Sequence, residues 1–126
     1  MKGNESANGG RPQMPRLIRF SDLSPARRTL VRLCQSLNYG QIQDICVRDG
    51  DPVLSPSSAV LVEFKLDADE EQRKEAELVD FELRSEVRRL MFLLDKMKDG
   101  RIECIEVRAG IPRRAMFKSP ATSLPK

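Results

Sequence analysis

The sequence predicts an α+β fold: a duplicated helix–β-hairpin unit forming an antiparallel sheet, with two helices, one of them long, packed on one face. Two matching stretches carry this reading. Gly40-Gln-Ile-Gln-Asp-Ile-Cys-Val-Arg-Asp-Gly-Asp-Pro52 and Gly100-Arg-Ile-Glu-Cys-Ile-Glu-Val-Arg-Ala-Gly-Ile-Pro112 share the pattern Gly-x-Ile-x-x-Ile-x-Val-Arg-x-Gly-x-Pro. The register extends backwards, since Arg28, Leu30 and Leu33 recur as Arg88, Leu90 and Leu93, and Leu37 meets the similar Met97. Ten of the twenty-five positions from 28 to 52 are identical sixty residues later, where average residue usage gives about one or two. Self-similarity at one fixed spacing reads as duplication of a supersecondary unit. Periodicity names the unit: a helical apolar stripe precedes each glycine, and branched aliphatics follow it.

The elements follow in order. Helix one starts at Ser24 as N-cap with Pro25 at the first helical position. Leu30, Leu33, Cys34 and Leu37 form its core stripe, while Arg27, Arg28 and Arg32 lie off it. Gly40 is expected to close the helix in a left-handed conformation. Strand one runs from Ile42 to Val47, and the three-residue step from Ile42 to Ile45 calls for a bulge or a capping role for the first isoleucine. Asp49-Gly50 is a hairpin turn; because Ala109 stands in the matching place and alanine resists positive φ, a three-residue loop fits both copies. Pro52 and Pro112 cannot donate a ladder hydrogen bond, so each return strand starts at an edge or at an outward-pointing N–H. Ala59 to Leu66 alternates as a strand, with Val60, Val62, Phe64 and Leu66 on one face. Helix two is expected from Asp69, with Gln72 completing a capping box, to Lys98. Its thirty residues would span ~45 Å, more than the ~25–30 Å width of a domain this size. The excess length predicts a homodimer through helix 69–98.

Domain boundaries come from composition. Residues 1–16 read as a disordered N-terminal arm, 17–118 as a single α+β domain of two tandem repeats (24–66 and 69–118), and 119–126 as a flexible tail. Leu17-Ile-Arg-Phe20 has weak strand alternation. The net charge of +3 is uneven: residues 1–35 sum to +5 and 101–126 to +4, against −2 for 36–66 and −4 for 67–100. Basic flanks around an acidic middle suit either a polyanion partner or internal pairing of the flanks with that middle. Cys34, Cys46 and Cys104 are odd in number without a Cys-x-x-Cys spacing, which predicts partly buried thiols in a reducing compartment. With no signal-peptide or membrane-span run, the expected location is cytoplasmic with no membrane partner.

The chemistry is sparse, and no catalytic residue, cofactor site or metal site is assigned. The chain has no histidine, the commonest general base and metal ligand. Pairs such as Glu71/Glu75 and Glu82/Glu86 read as a solvated face paired with Arg73, Lys74 and Arg84. No cysteine has a visible activating partner, and the glycines close helices or turn hairpins, so no phosphate-cradling loop is present. Gly40, Gly50, Gly100 and Gly110 are structural. The functional lead is basic: Arg48 and Arg108 stand before the two turns, and Arg113 and Arg114 extend the second hairpin. An arginine-bearing β-ribbon can enter a major groove and neutralise phosphates. Glu103 and Glu106 stand among these arginines, and few aromatics are available to stack on bases.

One helix–Gly–strand–turn–strand unit resembles short bacterial helix-plus-hairpin proteins that lack an assigned role, and the resemblance implies no activity. The sequence therefore predicts a small, non-enzymatic protein-interaction or regulatory module, homodimeric and with an unknown protein partner. The alternative is a nucleic-acid-binding protein using the hairpin arginines and basic termini.

Overall fold

Serine followed by proline is a strong helix start, and the chain uses it. The computed structural model describes residues 19–69, 71 and 73–120. The arm expected at 1–16, Leu17-Ile18, the Gln72 of the capping box and residues 121–126 lie outside that set. Helix α1 (Pro25–Leu37) is capped by the Ser24 hydroxyl, which accepts from the Arg27 amide at 3.3 Å. Leu30, Val31, Cys34 and Leu37 are buried and Leu33 is partly so. Then come β1 (Gly40–Arg48), β2 (Asp51–Val53), β3 (Ala59–Val62), helix α2 (Ser85–Met97), β4 (Gly100–Arg108) and β5 (Ile111–Met116). The strands form one antiparallel sheet, ordered β2-β1-β4-β5, with β3 also paired to β1. Packing α1 on β2 and α2 on β5 buries Ile42, Ile45, Val47, Ile102, Ile105 and Val107 beneath the helices.

The helix expected over 69–98 is corrected: α2 covers only Ser85–Met97, and Lys74–Glu77 is a single 3-10 turn. Local propensity favours helix through 73–84, but tertiary contacts override it. Arg32 of α1 donates to the carbonyls of Glu75 (3.0 Å), Ala76 (3.4 Å) and Leu78, acceptors a helix would keep for its own amides. The same guanidinium lies 4.3 Å from the Phe20 ring centroid and 5.4 Å from that of Phe81. Those two rings stack on each other at 4.9 Å. Phe81 and Leu83, two apart and both buried, have the period of an extended segment. The Phe20 amide donates to the Phe81 carbonyl at 2.8 Å, and Arg19 bridges to Glu82.

The two units occupy equivalent positions. The bounds of α1 and β1, and the start of β2, recur sixty residues on as α2, β4 and the start of β5. Gly40 pairs with Val107 and Val47 with Gly100, so exchanging the units maps the central β1–β4 ladder onto itself. Both helices end in a γ-turn of positive φ, at Asn38 (φ 67°, ψ −62°) and Lys98 (φ 62°, ψ −65°). Gly40 therefore does not end the helix; Asn38 does. Each γ-turn carbonyl is taken by the other unit: the Gly110 amide donates to Asn38 O at 2.9 Å, and the Gly50 amide to Lys98 O at 2.8 Å.

These cross-unit bonds also fix the hairpins. Asp49 and Gly50 have φ of 52° and 80°, and Ala109 and Gly110 of 54° and 76°. Positive φ at both central residues is the two-residue type I′ requirement, so the three-residue loop is corrected: Ala109 accepts the strained conformation. Asp44, at φ 64°, is the irregularity that brings both Ile42 and Ile45 to the core. Arg27 is not on the solvent side. It is buried, donating to Gly50 O at 2.8 and 3.0 Å and to Asp95 Oδ1 at 2.6 Å, and so ties α1 to its hairpin turn and to α2.

The units differ in one respect. In the second, β5 follows β4 with a single bulge between Glu106 and Val107. In the first, the chain leaves the sheet after Val53, turns through Ser55–Ser58 and returns as β3, pairing Ala59–Val62 with Gly40–Gln43. Gly40 permits this return, because a Cβ there would lie 2.0 Å from the Leu61 carbonyl oxygen.

Candidate interaction surface

Strand β3 is built of Ala-Val-Leu-Val, a composition suited to a buried strand, and all four residues are exposed. Val60 and Val62 pair with Ile42 and Gly40, which places them on the helix side of the sheet beyond the cover of α1. Beyond the strand, Phe64 is 76% exposed and Leu66 90%. The Glu63 amide donates to Tyr39 O at 2.9 Å. Tyr39 stands opposite Glu63 in the β1–β3 register, so residues 61 and 63 point their backbone groups at β1. Val60, Val62 and Phe64 therefore point theirs outward. Val60, Leu61, Val62, Phe64 and Leu66 are all exposed along this edge, with Leu61 on the face opposite to Val60 and Val62.

The opposite edge is defended. Strand β5 carries Pro112, Arg113 and Arg114 and a bulge, the usual devices that keep an edge from pairing. Strand β3 carries neither proline nor charge within its four residues. The strand expected over Ala59–Leu66 is corrected to Ala59–Val62, and the exposure of its apolar residues is the feature that sequence reasoning did not supply. A usable signal was the end of the repeat at Pro52 and Pro112, which leaves 59–66 without a counterpart in the second unit and outside the shared core.

The arginines do not converge. Arg108 stands opposite position 39 in the β1–β4 register, nine residues from Arg48, so about 30 Å separates them along the strands. Arg48 is exposed and forms no ion pair among the described residues. Arg108 Nη2 lies 3.9 Å from Glu106 Oε2, and Arg114 Nη2 3.2 Å from Glu106 Oε1, so one carboxylate answers both. Arg113 turns to α2, where its Nη1 meets Glu86 Oε2 at 3.4 Å. The Glu86 backbone amide, then Arg113 and Arg84, hold the Glu86 carboxyl below its usual range. The structural glycines separate by role: Gly50 and Gly110 serve the turns, Gly40 the approach of β3, and Gly100 faces only the Met97 side chain.

Part of the charge in the acidic middle is paired within the chain. Arg19 Nε binds Asp80 Oδ2 at 2.8 Å, and the Ser21 amide and hydroxyl add bonds to the same carboxylate, holding its pKa down at about 2. Arg73 pairs with Glu75 at 2.9 Å and covers Gly110. The three cysteines are unpaired thiols, and burial pushes Cys34 up to about 12. Among the described residues no group of three or more His, Cys, Asp or Glu side chains is placed to hold a metal, and no helix is long and apolar enough to cross a membrane.

A shallow groove of about 540 Å³ runs between the start of α2 and β5, lined by Ser85, Glu86, Arg89, Leu93, Arg113 and Ala115 among others. Within it Arg113 pairs with Glu86 at 3.4 Å.

No protein-family model matches the chain, and neither a curated protein nor a solved structure is significantly similar to it.

Proposed function

We propose that the chain is a non-enzymatic protein-interaction or regulatory module, arisen by duplication of a helix–hairpin unit, that works by offering the β3 edge to another strand. The observation that carries this is the exposed, uncharged Ala59–Val62 edge with Phe64 and Leu66 beside it. Such an edge supplies main-chain hydrogen bonds for affinity and an apolar stripe for selectivity. Self-association belongs to the same proposal. Its earlier basis was the length of helix 69–98; with α2 confined to Ser85–Met97, β3 takes that place. The unpaired thiols support a reducing, cytoplasmic setting.

The second reading, a nucleic-acid binder, is favoured by the exposure of Arg48, Arg108 and Arg114. Their separation and the carboxylate at Glu106 weaken it.

Photo-crosslinking from single positions discriminates the two. A photoreactive side chain at Val62 or Phe64 is expected to capture protein, while the same group at Arg108 or Arg114 captures neither protein nor nucleic acid. Nucleic acid crosslinked from 108 and 114, with nothing from 62 and 64, reverses the assignment. A salt titration of binding to random DNA and RNA gives the independent check, since phosphate contacts weaken steeply with salt.

A further inference from the structure

Resting on the edge reading above, we infer that β3 pairs with the β3 of a second copy, antiparallel about a two-fold axis at Leu61, so that two sheets join into one. Backbone direction, side-chain identity and exposure lead there.

Backbone direction fixes which residues can take a neighbour. The Glu63 amide donates to Tyr39 O, and the Leu61 carbonyl oxygen lies so close to β1 that a Cβ on Gly40 would meet it at 2.0 Å. Residues 61 and 63 therefore spend their backbone groups on β1, while Val60 and Val62 aim theirs outward. Among the described strands, β3 pairs with β1 alone. An antiparallel neighbour centred on Leu61 sets Val60 of each copy opposite Val62 of the other, and each such pair exchanges both of its hydrogen bonds. Every bond then lies inside Ala59–Val62, the extent of the strand. An axis at Val60 would call on Ser58 instead, and an axis at Val62 on Phe64, both outside it.

The side chains match themselves in the same register. Val60-Leu61-Val62 reads alike in both directions about Leu61, as an isologous contact requires, since residue i meets j and j meets i. On the helix side valine meets valine at both positions, and β-branched chains pack well across strands. On the open face the two Leu61 side chains meet on the axis. They form a non-hydrogen-bonded pair, the arrangement that brings side chains closest. Glu63 falls opposite Ala59, so no like charges face each other across the pair.

Exposure supplies the reason to pair. Val60, Leu61 and Val62 are 44%, 57% and 63% exposed, although residues of these types are most often buried. Pairing covers apolar side chains on both faces of the strand. It also closes an edge that is otherwise a site of uncontrolled association. Two strands of four residues make a small contact, so the dimer assembles at high micromolar concentration.

The test is sedimentation velocity of the full chain from about 5 to about 500 µM. The wild-type chain should move from 14.3 kDa toward twice that mass with rising concentration. Leu61→Lys and Leu61→Glu each set like charges against themselves on the axis, and each should raise the dimer dissociation constant about tenfold. An equimolar mixture of the two variants should return it to within about threefold of wild type, because lysine then faces glutamate. That recovery also shows that both variants fold. Since the residue on the axis is the one that meets its own copy, the mixture reads the register itself. Val60→Pro removes an outward N–H while leaving the bonds to β1, and should hold the chain at 14.3 kDa. A dimer indifferent to Leu61→Lys or to Val60→Pro, or charge variants that fail to recover on mixing, overturns the Leu61 axis. A chain that stays at 14.3 kDa throughout overturns self-pairing. Either result is separable from failure of the edge reading, which would show as absence of crosslinking from positions 62 and 64 to any protein.

Discussion

Replacing Gly40 and Gly100 by alanine in turn should have unequal consequences, although the two occupy the same place in the two units. At Gly40, φ is 152° and the added Cβ would lie 2.0 Å from Leu61 O and 3.1 Å from Leu37 Cδ1. The nearest obstacle is backbone, so β3 must move away. The strained φ costs an alanine about 1–3 kcal/mol, and loosening β3 gives up ladder bonds at about 1 kcal/mol each. A total near 3 kcal/mol is a large share of the 5–15 kcal/mol that holds an ordinary domain folded. At Gly100, φ is not positive, and the nearest atoms are Met97 Cγ at 3.2 Å and Sδ at 3.3 Å, on a flexible side chain. Alanine there also narrows the unfolded ensemble, so Gly100→Ala should fall within about 1 kcal/mol of wild type in either direction. Urea unfolding reads the difference: with a slope of about 1–3 kcal/mol per molar, Gly40→Ala should lower the midpoint by about 1–3 M. Equal midpoint shifts for the two variants would refute the idea that β3 rests on Gly40.

Other expectations follow from the same contacts. Arg32→Ala removes the clamp on the Glu75, Ala76 and Leu78 carbonyls and the stacking on Phe20; it should cost about 2–4 kcal/mol and open the chain to limited proteolysis between Arg73 and Asp80. Asp80 titrates at about 2 in the folded chain against an ordinary 3.8, because Arg19 first, then Ser21, favour its ionised form. Its contribution is therefore present above about pH 4 and lost as pH falls toward 2; the stability gap between wild type and Asp80→Asn should close over that window, and a gap unchanged down to pH 2 contradicts the assignment. Cys34, buried and pushed up to about 12, should resist iodoacetamide at pH 8 until the chain unfolds, whereas partly exposed Cys46 reacts first. Mass spectrometry of alkylated peptides reads the order.

The repeat was legible because its signal lies in residues that repeated geometry needs: Gly50 and Gly110 at the turns, and Ile42, Ile45 and Val47 with their counterparts in the core. Ser24 and Pro25 announced α1 for local reasons that the fold respects. The long helix was not legible, since what breaks it is Arg32, more than forty residues away from the carbonyls it takes. The estimate that such a helix would outrun the domain did point to the error, and Phe81 and Leu83, spaced by two, pointed the same way. Arg27 looked like a surface charge because its partner, Asp95, lies on the other helix. The arginines at 48 and 108 were correctly paired in sequence, yet an antiparallel ladder with its axis between them sends matched residues to opposite ends.

Amide hydrogen exchange resolved by residue, at 10 µM and again at 500 µM, bears most directly on the β3 edge. At the lower concentration Leu61 and Glu63, whose amides face β1, should be protected while Val60, Val62 and Phe64 exchange freely. At the higher concentration Val60 and Val62 should become protected as the second strand arrives. Free exchange of both at every concentration would contradict the account.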